Sequence, residues 1–170
     1  GKMSFEASVN PTADKKSNTD LKDFHHYLSS LKTNGELIAD LDLDAFEADI
    51  QKGIHFDSSI PQGYGVGSSG AVVAAIYERY AVTKLIAKDN SDRSDLLQLK
   101  SMFSQMESYF HGKSSGLDPL ICYLNIPILI KSKTDLDTVG LPGAAAQGEG
   151  AIFLLDTGNT GETQPLVTWF

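Results

Sequence analysis

The chain has 170 residues, enough for one domain or one large part of a two-domain protein. Its net charge of -8 argues against a dedicated nucleic-acid binder and against attachment to an anionic membrane, because both need a basic face. A hydrophobic content of 41% is ordinary for a globular chain, and the single cysteine, Cys122, excludes an internal disulfide and a multi-cysteine zinc site. No apolar run reaches the roughly 18 residues of a membrane span. With so little cysteine a reducing cytoplasm is the expected compartment, and Gly1–Asn10 has no signal-peptide pattern.

In chain order, Ser4–Val9 alternates weakly through Phe5, Ala7 and Val9 and predicts a short strand. Asn10–Asn18 is polar, contains Pro11 and reads as a loop. Thr19 or Asp20 can then cap a helix with Leu21, Phe24, Tyr27, Leu28 and Leu31 on one face, stopped at Asn34-Gly35. Leu43–Ile54 offers a second helix with Phe46 and Ile50 four apart, and Ile54–Ser59 a strand. A glycine-serine stretch follows. Ala71–Ala87, rich in alanine and valine, predicts a helix buried on most sides.

Asp92 or Ser94 opens the next helix, carrying Leu96, Leu99, Phe103, Met106 and Phe110 at spacings of three and four; His111–Ser115 breaks it. Leu117–Leu124 predicts a short helix, and Ile126–Lys131 and Ala151–Asp156 predict strands, with a loop over Gly140–Gly150. Helices and strands mix without strict alternation, which favours α+β over a doubly wound sheet. Tyr77, Tyr80, Phe103 and Phe110 are expected in the core. His25, His26 and His55 are expected to be surface or structural, and Asp40–Asp49 a solvated, helix-capping face.

The stretch from Pro61 to Gly70 carries the most information. Gly63, Gly65 and Gly67 alternate, and Ser68-Ser69-Gly70 leads into a helix. Glycine lets the backbone approach a bulky anion, and a helix N-terminus adds N–H donors and a positive dipole end. Together these cradle phosphate, and serine hydroxyls can bond phosphate or magnesium. By itself such a loop also fits a tight turn with a serine N-cap. Two better-known phosphate loops do not fit. The P-loop needs Gly-Lys-Ser/Thr, and no lysine lies between Lys52 and Lys84. The dinucleotide fingerprint needs Gly-x-Gly-x-x-Gly, whereas the spacing here is Gly-x-Gly-x-Gly.

Pro61-Gln62-Gly63-Tyr64-Gly65-Val66-Gly67-Ser68-Ser69-Gly70-Ala71 resembles the phosphate loop of the GHMP kinases, usually Pro-x-Gly-x-Gly-Leu-Gly-Ser-Ser-Ala. A second segment, Glu107-Ser108-Tyr109-Phe110-His111-Gly112-Lys113-Ser114-Ser115-Gly116-Leu117-Asp118, resembles the mevalonate-kinase pattern Glu-x-x-x-His-Gly-x-Pro-Ser-Gly-x-Asp. The likeness spans about Ile54 to Ile130. Gly70 stands where alanine is usual, which loosens the first helical turn by about 1 kcal/mol on propensity alone. Lys113-Ser114 stands where Asn-Pro is frequent, which implies a less rigid loop.

The resemblance implies a GHMP-kinase N-terminal domain, ribosomal protein S5 domain 2-like, with a mixed sheet packed against helices. It implies ATP-dependent phosphorylation of a small-molecule alcohol with ATP and Mg2+ as cofactors. Mevalonate is the first-choice substrate, and phosphomevalonate, homoserine or a sugar are alternatives. A non-catalytic nucleotide-binding domain is the reading from another class. By the same resemblance Gly63, Gly65, Gly67, Ser68, Ser69 and Gly70 bind phosphate, Ser69 and Glu107 hold the metal, Asp118 is the catalytic base or orienter, and His111 and Ser115 face substrate, with turn orientation or a structural hydrogen bond as the other readings of His111. Small-molecule substrate is the expected partner, with homodimerisation left open and with no role for nucleic acid or membrane. The chain starts Gly1-Lys2-Met3 and ends inside what reads as a forming helix, Trp169-Phe170. Lys2 is a poor match to the family's early-strand lysine, and nothing after Gly158 resembles its C-terminal glycine-rich segment. Residues 1–170 are therefore expected to be a partial N-terminal domain with little kinase activity alone.

Overall fold

The structure, a computed structural model, describes residues 1–58, 67–85, 93–132 and 135–138. It is an α+β arrangement of β1 (Lys2–Ser4), α1 (Pro11–Thr33), α2 (Leu43–Gln51), β2 (His55–Asp57), α3 (Ser68–Tyr80), α4 (Arg93–His111), α5 (Leu117–Leu124), β3 (Ile128–Ser132) and β4 (Asp135–Thr138). Among the described residues the strands form two antiparallel pairs, β1 with β2 and β3 with β4, where a single mixed sheet was expected. The helices share one apolar core built from Phe24, Leu28, Phe46, Val73, Ile76, Tyr77, Leu99, Phe103, Met106 and Leu120.

The N-terminal region departs most from the sequence expectation. The strand is Lys2–Ser4, not Ser4–Val9; Phe5 and Val9 are exposed. A strand therefore does surround Lys2, paired opposite Asp57. The polar stretch 10–18 is helical, not a loop. Asn10 caps α1 by accepting from the Ala13 N–H, Pro11 occupies the first turn and Asp14 favours the dipole end. Long-range bonds then hold this polar turn in place. Asn18 Nδ2 donates to the carbonyls of Ile50 (3.0 Å) and Ile54 (2.7 Å), and Ser17 Oγ accepts from Phe56 N–H at 2.9 Å. His55 is buried with Nε2 3.6 Å from Asp14, whose carboxylate also accepts from Ser8. His25 Nε2 meets the Leu43 carbonyl at 3.0 Å, so both histidines are structural.

Asn34 and the left-handed Gly35 end α1 as expected, and Asp42 caps α2. Asp49 is less solvated than the sequence implies. It accepts from Arg79 at 2.9 Å and from Tyr80 Oη at 3.2 Å. α3 stops at Tyr80 rather than Ala87, because Ala81 turns extended and bridges Leu41. Asp42 N–H donates to the Tyr80 carbonyl and Val82 N–H to the Asp40 carbonyl. Helix propensity cannot anticipate that competing pairing.

α4 buries Leu96, Leu99, Phe103 and Met106 at the expected spacing, but Phe110 lies outside the core, 38% exposed, against Phe24 and Tyr109. α5 spans the residues that the sequence predicts. β3 begins two residues later than expected and leaves Leu129 and Ile130 exposed; β4 is an unexpected partner. The expected strand at Ala151–Asp156 and loop at Gly140–Gly150 lie outside the described residues. No described helix is long and apolar enough to cross a membrane.

Candidate functional site

The N-terminal ends of α3 and α5 meet. Each helix is entered through a glycine in the left-handed region, Gly67 (φ 73°) and Gly116 (φ 74°), and neither has a side-chain cap. The serine N-cap that the loop alone allowed is thus excluded: the N-cap of α3 is Gly67, and Ser69 points elsewhere. An uncapped first turn offers backbone N–H groups and a positive dipole end. At α3 these are the amides of residues 68–70; at α5 the Leu117 N–H is already held by Ser115 Oγ and Pro119 has none, so the adjoining end adds the Asp118 N–H and its dipole. Gly70 lets the two ends adjoin, because a Cβ there would stand 2.8 Å from the Asp118 carbonyl carbon and the Pro119 nitrogen. That glycine, expected only to loosen α3, has a packing role.

Ser69 Oγ donates to Glu107 Oε1 at 3.1 Å and meets His111 Nε2 at 2.9 Å. Glu107 is 3% exposed. Its other carboxylate oxygen accepts from Ser114 Oγ. An ionised buried carboxylate needs such partners, since desolvation without them is costly. Asp118, exposed in the first turn of α5, points at the end of the glycine loop: a Cβ on Gly67 would lie 3.9 Å from Asp118 Oδ2. Cys122, one turn further along α5, registers both acids. Partial desolvation pushes its thiol up, and the charges of Asp118 and Glu107 push it the same way.

The structure therefore brings together Gly67, Ser68, Ser69, Gly70, Glu107, His111 and Asp118 from two helix starts and one helix end. Gly63 and Gly65 lie outside the described residues. Ser115 is exposed, and its hydroxyl accepts from the Leu117 N–H at 3.3 Å, a local bond at the entry to α5. Sequence reasoning missed Ser104, Ser108 and Ser114. Ser108 Oγ donates to the Ser104 carbonyl, Ser104 Oγ donates to the Ser114 carbonyl, and the Ser114 N–H donates to Ser108 Oγ. A signal existed. Ser104, Glu107, Ser108 and His111 recur at intervals of three and four, a polar stripe on a helix that is otherwise apolar on its packed face. This network ties down the 112–116 turn, which the missing proline was expected to loosen.

A family model described as the GHMP kinases N terminal domain matches residues 35–125, more than half of the chain. The chain belongs to the GHMP kinases. The match covers both convergent helix starts and every described residue of the site. GHMP kinases are small-molecule kinases that use ATP and Mg2+. No curated protein and no solved structure matches the chain significantly.

The residues of this GHMP kinase domain fit a magnesium ion by donor chemistry. A hydroxyl and a carboxylate oxygen 3.1 Å apart are hard ligands. Magnesium takes one or two carboxylates and completes its shell with water and phosphate. A larger cluster is therefore not required. No group of three or more His, Cys, Asp or Glu suited to a metal occurs among the described residues.

Proposed function

We propose that this chain grips the phosphates of ATP and positions the hydroxyl of a small molecule for phosphorylation, with mevalonate as acceptor and 5-phosphomevalonate as product, in the formation of isoprenoid precursors. Phosphoryl transfer asks a protein mainly for positioning and for charge complementary to the transferring group. The N-terminus of α3 supplies N–H donors and a positive dipole end for phosphate oxygens, and the adjoining start of α5 adds the Asp118 N–H and a second dipole end. Ser69 and Glu107 would hold magnesium, which when bound neutralises charge on the phosphates. Asp118 orients the acceptor hydroxyl and takes its proton. The cytoplasm and the S5-like topology of this family belong to the same proposal.

The observation that carries it is the Ser69–Glu107 bond, which joins two motifs 38 residues apart. The substrate choice rests on His111-Gly112 and Ser115-Gly116-Leu117-Asp118. Another acceptor within the family, phosphomevalonate, homoserine or a sugar, is the alternative. A non-catalytic nucleotide-binding domain is less well supported, because Asp118 faces Gly67 rather than away from it.

A thermal-shift titration tests nucleotide binding. At a hundredfold excess over Kd, ligand adds about 2.7 kcal/mol, which raises Tm by several degrees. The full-length gene product should show that shift with MgATP and less with ATP in EDTA. Gly67→Val should abolish it, while Gly35→Val, at the equally left-handed φ of 72° but remote from the motif, should lower Tm and keep the shift. An unchanged Tm with MgATP in the wild type would contradict the proposal.

A further inference from the structure

We infer that Ser114 is a positioning residue for Glu107, and that its hydroxyl sets the orientation in which this carboxylate receives magnesium; the inference rests on the metal-site reading above. Ser114 is unusually well fixed for a turn residue. Its N–H donates to Ser108 Oγ at 3.3 Å, its carbonyl accepts from Ser104 Oγ, and its own Oγ accepts from the Gly116 N–H at 3.0 Å. A hydroxyl has one proton to donate. With Gly116 occupying a lone pair, that proton goes to Glu107 Oε2.

Glu107 is thereby held at both oxygens, by Ser69 from α3 and by Ser114 from the turn before α5. The two bonds do different work. Ser69 is itself a candidate ligand and lies on the side where the helix starts converge. Ser114 grips the other oxygen and fixes rotation about the carboxylate plane, leaving Oε1 facing Ser69. Alanine at 114 would free that rotation and leave a buried carboxylate oxygen without its donor. Outer partners that orient a ligand typically affect metal affinity ten- to a hundredfold.

The test is calorimetric, on the full-length gene product, and needs no turnover. ATP is titrated with excess magnesium and, separately, in EDTA. Ser114→Ala should weaken MgATP binding at least about tenfold and leave metal-free ATP binding unchanged. Ser114→Thr, which keeps the hydroxyl, should restore the metal preference. Ser104→Ala, which releases the Ser114 carbonyl but spares its hydroxyl, should give a smaller loss of the same kind; this variant carries the test if the alanine at 114 does not fold. Equal affinities for MgATP in wild type and variants, or parallel losses with and without metal, would overturn the role of Ser114 alone. A wild type that binds ATP equally with and without magnesium would overturn the metal site, and this inference with it.

Discussion

A methyl group on Gly70 would stand 2.9 Å from the Cβ of Asp118, closer than two carbon atoms can approach without one of them moving. The first turn of α3 thus rests directly on the backbone of the residue proposed to act on the acceptor hydroxyl. Alanine is the better helix former by about 0.8–1.0 kcal/mol, and on propensity alone Gly70→Ala should stabilise. Overpacking against backbone costs about 1–3 kcal/mol and wins. The difference leaves a net loss centred on about 1 kcal/mol, and at most about 2 kcal/mol, for Gly70→Ala in urea denaturation. A variant as stable as the wild type would show that α3 and α5 are not so closely apposed.

Gly116 and Gly35 provide an internal comparison. Both sit in the left-handed region, at φ 74° and 72°. Nothing lies within 4 Å of a Cβ on Gly35, whereas one on Gly116 would be 2.6 Å from Ser104 N and closer still to the Lys100 carbonyl. Left-handed backbone costs a non-glycine residue roughly 1–2 kcal/mol. Gly35→Ala should cost about that much. Gly116→Ala should cost about 3 kcal/mol or more, since strain and collision add. Equal losses in equilibrium denaturation would contradict the packing of the α5 entry on α4.

Stability should fall at both ends of the pH scale for separate reasons. Burial pushes the hydroxyls of Tyr80 and Tyr123 from 10.0 up to about 12. The unfolded chain then releases those protons first. Their contribution is fully present below pH 10 and is lost as pH rises to about 12. At the acid end, burial pushes the Asp49 carboxyl up, but hydrogen bonds from Arg79, Lys52 and Tyr80 and the Arg79 charge outweigh it and hold it below 3.8. That contribution is present above pH 3.8 and is lost as pH falls through the lowered value. Denaturant midpoints measured across pH, with phenolate absorbance alongside, check both limbs. Asp49→Asn should flatten the acid one. Stability that rises between pH 10 and 12 would contradict the tyrosine assignment.

The parts of the fold that the sequence disclosed are those decided locally. The short helix Leu117–Leu124 follows from its glycine entry, its proline in the first turn and its apolar period. The first turns of α1 were hidden, although Asn10 and Pro11 are start signals, because residues 11–18 are polar and their stability comes from Ile50, Ile54 and Phe56, all more than 30 positions away. The end of α3 was hidden for the same kind of reason, a bridge to Leu41. In the site, Ser69, Glu107 and Asp118 could be picked out because motif spacing encodes them. The partners of Ser114 could not, since its bond to Glu107 exists only once the turn after α4 folds back over the helix.

Phosphoryl transfer as proposed requires Asp118 to act beside a magnesium-nucleotide site. The most direct measurement is single-turnover transfer of labelled γ-phosphate from ATP by the full-length gene product, offered mevalonate, phosphomevalonate, homoserine and galactose in turn, for wild type and Asp118→Asn. Labelled product with mevalonate, and a loss of about 10²–10⁴-fold in the variant while MgATP affinity holds, is the expected result. Transfer at the wild-type rate by Asp118→Asn, or a wild type that binds MgATP and phosphorylates none of the four, would contradict it.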